Sequence, residues 1–89
     1  MKYIIVEVGP KSLRRKLPIM FAQALVHKDM FDMLKGKDST TTIISAGFID
    51  SIEIGAECHG KSISLNVKSR GTVDTALIQM HDYFHGLEF

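Results

Sequence analysis

Two consecutive stretches between Thr42 and Arg70 alternate strictly between apolar and polar residues, and a two-residue period belongs to a half-buried strand. Ile52, Ile54, Ala56 and Cys58 point one way, while Ser51, Glu53, Gly55 and Glu57 point the other. After His59-Gly60-Lys61 the pattern resumes, with Ile63, Leu65 and Val67 apolar and Ser62, Ser64, Asn66 and Lys68 polar. This pattern predicts an antiparallel hairpin turning at His59-Gly60, with Ile63, Leu65 and Val67 all inward. The run from Thr42 to Ile49 is rich in β-formers and completes a three-stranded meander.

Upstream, Lys2 to Val8 reads as a strand with apolar residues on both faces, Ile4, Val6 and Val8 against Tyr3 and Ile5, which places it inside a sheet. Gly9-Pro10-Lys11-Ser12 ends it in a turn. Arg14 to Phe21 follows as an edge strand, because Pro18 has no N–H to give to a ladder. From Ala22 the period becomes helical through Val26, Met30, Met33 and Leu34, and Gly36 stops this first helix. A second helix begins after Ser69-Arg70-Gly71, with Thr72 as N-cap, Asp74 in the first turn and Val73, Ala76, Leu77, Met80 and Phe84 as its buried stripe, and ends at Gly86. The predicted fold is a single α+β domain over residues 1–89, in the order β-β-α-β-β-β-α. Its five-stranded, mostly antiparallel sheet carries both helices on one face. The other face is left to solvent or to a second subunit, so self-association is expected.

With 89 residues the chain buries only about 60–65% of the surface its unfolded form exposes, so the core is thin. A net charge of +1 supplies no global attraction to nucleic acid or to an anionic membrane. The lone cysteine, Cys58, has no intramolecular disulfide partner and reads as a small buried hydrophobe in a reducing, cytoplasmic setting. No apolar run approaches the roughly 20 residues of a membrane span, and Met1-Lys2 leads into a strand rather than a signal-peptide core.

Gly55-Ala56-Glu57-Cys58-His59-Gly60-Lys61-Ser62 matches the phosphate-loop string G-x-x-x-x-G-K-[ST] letter for letter. That motif works only where a helix begins after the lysine, and here the following residues alternate as a strand, so the expectation is a coincidental match. His81 and His85 have the i,i+4 spacing of a metal pair, but nothing in the sequence brings further ligands to them, and no metal or other cofactor is expected. No serine or cysteine sits in a nucleophile elbow. Glu53 and Glu57 lie about 13 Å apart along a strand, too far to act on one bond. The chain therefore weighs against an enzyme, and no catalytic residue is assigned.

Two basic clusters remain. Lys11, Arg14, Arg15 and Lys16 form a charged edge at the first hairpin. Lys68 and Arg70 flank the start of the second helix, where the amides of Gly71 and Thr72, supported by Lys61, form a candidate anion site for a nucleotide or RNA phosphate. An RNA is disfavoured because the aromatic residues fall mostly on apolar faces instead of forming a stacking platform.

The wording of Tyr3-Ile4-Ile5-Val6-Glu7-Val8-Gly9-Pro10, Leu17-Pro18-Ile19-Met20-Phe21, Ile44-Ser45-Ala46-Gly47-Phe48 and Ser62-Ile63-Ser64-Leu65 with Lys68-Ser69-Arg70 resembles small uncharacterised proteins of phages and prophages. The resemblance transfers no functional residue. It implies a compact, non-enzymatic regulator or inhibitor that binds another protein or sequesters a small molecule. The leading expectation is thus a homo-oligomeric interaction protein, with a binder of phosphate-bearing ligands at Lys68–Thr72 as the alternative.

Overall fold

The computed structural model describes residues 1–50 and 56–80. Strand β1 (Lys2–Val8) lies at the centre of a three-stranded antiparallel sheet of order β2-β1-β3, between β2 (Arg15–Phe21) and β3 (Thr42–Phe48). The interior position of β1 and the edge position of the Pro18-containing strand follow the sequence pattern. Between Ile5 and Val6 the register with β3 shifts: Ile5 faces Ser45 and Val6 faces Ile43, so Ile44 is the extra residue of a β-bulge.

Both faces of β1 are buried, and each has its own cover. Ile4 and Val6, with Ile19, Phe21 and Ala46, pack against Met30, Phe31 and Leu34 of α1 (His27–Lys37). Tyr3 and Ile5, with Met20, Ile49 and Cys58, pack against Leu77 and Ile78 of α2 (Thr72–Met80). The helices therefore lie on opposite faces of the sheet, which corrects the expected arrangement with both on one face. The physical reason lies in β1 itself, because a central strand whose residues 3 to 6 are all buried exposes apolar surface in both directions until both are covered.

The helices also differ in detail from their expected stripes. α1 begins at His27 rather than Ala22, after a turn closed by the Leu25 N–H on the Ala22 carbonyl, and its inward stripe is His27, Met30, Phe31 and Leu34. Val26 and Met33 face solvent. Gly36 is helical rather than a stop, and an added Cβ there meets nothing within 4 Å. Gly36→Ala is therefore expected to stabilise the protein by about 0.5–1 kcal/mol, read as a higher midpoint in urea unfolding. In α2 the buried residues are Asp74, Thr75 and Ile78, while Val73 and Met80 are exposed; Phe84 and Gly86 lie outside the described residues.

The expected meander is where sequence and structure part most clearly. Instead of one five-stranded sheet there are two sheets, the second a short hairpin of β4 (Lys61–Ser62) and β5 (Val67–Lys68). Residues 51–55, most of the expected fourth strand, lie outside the described residues, and residues 56–58 are not in a strand. The hairpin does not turn at His59-Gly60. His59 instead exchanges both backbone hydrogen bonds with Phe48, each 2.9 Å, and the Gly60 carbonyl accepts from Ser69 N–H at 3.0 Å. The turn falls at residues 63–66, where Ser62 Oγ accepts from Leu65 N–H, the Ile63 carbonyl accepts from Asn66 N–H, and Asn66 takes the left-handed conformation with φ 55°. Asparagine tolerates that region better than any β-branched neighbour. Leu65 and Val67 do reach the α1-side core, but Ile63 is thrown outward at 86% exposure.

Candidate functional site

The hairpin docks on β3 through a glycine. A Cβ on Gly47 would lie 2.4 Å from the His59 carbonyl oxygen, so only a residue without one lets the two backbones approach this closely. Next to that contact, the Phe48 ring stacks on His59 at 6.2 Å and meets the buried His27 edge-on at 5.4 Å. The hairpin tip reaches α1, with Ser64 Oγ accepting from Lys28 N–H at 3.2 Å and so capping one of the first-turn amides. Between tip, helix and sheet lies an open cleft of about 340 Å³ lined by Lys2, Val26, His27, Phe48, Lys61, Ile63 and Ser64. Lys2 is tethered at its rim by a 2.6 Å hydrogen bond from Nζ to the Leu25 carbonyl.

His27 forms the inner wall. Its Nε2 lies 2.9 Å from the Gly47 carbonyl, an acceptor, so Nε2 carries the proton and donates. Burial pushes its pKa below the usual 6.5, opposed by the bond to Gly47 and reinforced by the nearby Lys2 cation. A histidine with a depressed folded pKa binds fewer protons than the unfolded chain as pH falls, so its contribution is present above 6.5 and is lost below it. Stability measured by urea unfolding is expected to fall between pH 7 and pH 5, and His27→Gln is expected to flatten that slope.

The five residues expected to hold an anion are split by the structure. Lys61 and Lys68 face one another across the hairpin. Arg70, Gly71 and Thr72 stand at the start of α2, where the chain supplies its own anion. The fully buried Asp74 carboxylate accepts from Arg70 N–H at 2.9 Å, from Arg70 Nε at 2.8 Å and from the Tyr3 hydroxyl at 2.6 Å. Having donated its proton to Asp74, the Tyr3 oxygen accepts from Ser69 Oγ, which itself accepts from Gly71 N–H at 3.0 Å. Burial drives the Asp74 pKa upward, but the hydrogen bonds from Tyr3 and from Arg70 outweigh it and the net shift is downward. The same burial and the bond to Asp74 push the Tyr3 hydroxyl far above its ordinary value.

The other sequence candidates have structural duties or are buried. Arg14 donates to the Glu7 carboxylate, the carbonyls of Glu7, Gly9 and Thr40, and the Thr42 hydroxyl, stapling the first turn to β3. Cys58 is 4% exposed and burial raises its pKa, so it is a protonated, shielded thiol rather than a nucleophile. Lys61 and Ser62 are strand residues followed by a turn, so the helix that a phosphate loop requires does not follow them; Gly55 lies outside the described residues. Among the described residues no three His, Cys, Asp or Glu side chains gather as metal ligands, and His81 and His85 lie outside them. Nor is any described helix long and apolar enough to cross a membrane.

Lys2, Val26 and Asn66, read from sequence only as strand, helix-stripe and alternating-run residues, carry no functional expectation there. Asn66 carried the one local signal, a residue suited to the left-handed region in the middle of an alternating run. Comparison with family models, with curated proteins and with solved structures returns no match.

Proposed function

We propose that this chain is a small non-enzymatic binding protein, of the kind phages use as regulators or inhibitors, and that it engages an acidic segment of a protein partner through the hairpin tip and the start of α1. The observation that carries this reading is Ile63, 86% exposed at a turn closed by the Leu65 N–H on Ser62 Oγ and the Asn66 N–H on the Ile63 carbonyl. Val26, 43% exposed, lines the same cleft as Ile63, and so do Lys2 and Lys61. An apolar knob ringed by cations suits a partner that offers an apolar side chain among carboxylates.

Self-association is expected from sequence through a sheet face left bare; because each face of the sheet carries a helix, the proposed binding surface is the hairpin tip instead. Pairing two copies through the hairpin tip would bring Lys2 and Lys61 of one copy against those of the other, which costs free energy. The test uses a photo-crosslinking residue at position 63 and, as control, at Leu13, which is 73% exposed on the first turn. A discrete adduct from position 63 that weakens as salt rises, with none from position 13, is expected. Equal adducts from both positions, or a purified protein that sediments as a salt-insensitive dimer, would overturn the reading.

A further inference from the structure

The hairpin register sets Lys61 directly opposite Lys68. Cross-strand partners hold their Cβ atoms about 5 Å apart, and like charges in that position destabilise a ladder. The ladder has two residue pairs, Lys61 with Lys68 and Ser62 with Val67, and is continued by the Ser69 N–H bond to the Gly60 carbonyl, so one of its two pairs is like-charged. Among the described residues neither lysine takes part in an ion pair, whereas Arg14, Lys28, His59 and Arg70 each have a carboxylate partner. Lys61, Lys68 and Asn66 all line a second depression of about 170 Å³. The left-handed backbone at Asn66 orients this residue and is part of the turn itself rather than of a flexible tail.

We propose that the β4–β5 hairpin is a binding site for a phosphate monoester, held between Lys61 and Lys68 with the Asn66 carboxamide as a neutral donor. A dianionic tetrahedral group can accept from both ammonium groups at once and turns their repulsion into a bridge, which a single carboxylate does less completely because it neutralises only one charge. The site differs from that of a phosphate loop, in which backbone amides at a helix start do the binding. It differs also from the α2 start, where Asp74 already accepts from the Arg70 amide. Lys61 borders the larger cleft as well, so the remainder of a phosphorylated small molecule has room beside Val26 and Phe48. Both lysines are solvent-exposed, so binding to phosphate alone is expected to be weak and sensitive to salt.

The inference goes beyond the protein-binding reading and is separable from it through Lys68, which borders this depression and not the cleft at Val26 and His27. The experiment is an amide NMR titration of the full chain with inorganic phosphate, with adenosine monophosphate and with sodium sulfate at matched ionic strength. Saturable shifts at Lys61, Asn66, Val67 and Lys68 are expected, with at least tenfold tighter binding of the monophosphate than of inorganic phosphate. Lys68→Ala should weaken binding at least tenfold. Lys68→Glu should abolish it and at the same time raise the melting temperature, because it replaces the repulsive pair by an attractive one. Lys68→Glu with an unchanged melting temperature and unchanged shifts on titration would overturn the proposal. So would shifts that are equal for sulfate and for both phosphates, or a short oligonucleotide that binds more tightly than the monophosphate. Crosslinking from position 63 that persists in Lys68→Glu would leave the protein-binding reading standing whichever way the phosphate titration falls.

Discussion

Asp74→Ala is expected to lower the unfolding free energy by about 3–5 kcal/mol, a large fraction of the total for a domain of this size. Asp74 is fully buried and accepts from three donors on two residues: the Tyr3 hydroxyl of the central strand, the Arg70 backbone N–H and the Arg70 guanidinium. Truncation removes the acceptor but leaves its donors in place. The Tyr3 O–H and the Arg70 N–H would then be stranded away from water, and a donor left unsatisfied in the interior costs about 1–3 kcal/mol. Arg70 would lose the charge that offsets its own. Asp74→Asn keeps the shape but removes the charge and one acceptor site, and should cost less than alanine. Urea unfolding followed by far-UV circular dichroism measures both. An alanine variant within 1 kcal/mol of the parent would show that the carboxylate does not hold α2 to the sheet. Because the Asp74 pKa is depressed in the folded state, its contribution is present above the ordinary value of 3.8 and is lost as pH falls below it. That loss adds to the His27 effect at the acid end, and the two should appear as separate steps.

Gly47→Ala is expected to undock the hairpin, at a cost of about 2–4 kcal/mol. The added Cβ would sit 2.4 Å from the His59 carbonyl oxygen and 3.0 Å from Ser69 Cβ. The first neighbour is backbone, held by the mutual Phe48–His59 hydrogen bonds, and cannot rotate away as a side chain would. Relief requires the hairpin to move off β3, which breaks the Phe48–His59 pair and uncovers Leu65 and Val67. Amide exchange is expected to speed up at Phe48, His59 and Ser69 while the Lys2–Phe21 ladder stays protected. The contrast with Gly36→Ala, which gains stability at an open helical site, makes the pair of variants a test of backbone approach rather than of glycine replacement in general. Uniform exchange across both sheets would overturn the account.

These two residues also show how far the sequence could be read. Strand β1 was legible in full, because a short apolar run bounded by the Gly9-Pro10 turn reads as a strand, and its apolar residues 3 to 6 call for burial on both faces. Pro18 marked the edge strand for a purely local reason, the missing donor. The alternation of Ser62 through Lys68 was legible too, but its meaning was not. Alternation says which residues share a face only if the chain stays extended, and a Ser62 side chain closing onto Leu65 with Asn66 in the left-handed region turns the same letters into a bend. Asp74 looked like a first-turn helix residue, but its burial depends on Tyr3, 71 positions away, and no local signal announces a partner at that distance.

Local chemistry along the sequence therefore determined the existence and order of most elements, the central place of β1, the edge at β2 and the absence of a helix after the phosphate-loop string. Tertiary structure alone decided that the helices take opposite faces and that a buried aspartate joins Leu77 and Ile78 in anchoring α2. It also decided that Lys61 and Lys68 meet across two strands while Arg70 is withdrawn to Asp74. The reason is the same in each case. A residue's period and turn preference are set by its immediate neighbours, whereas which charges face one another and which polar groups are buried depend on contacts between segments far apart in the chain.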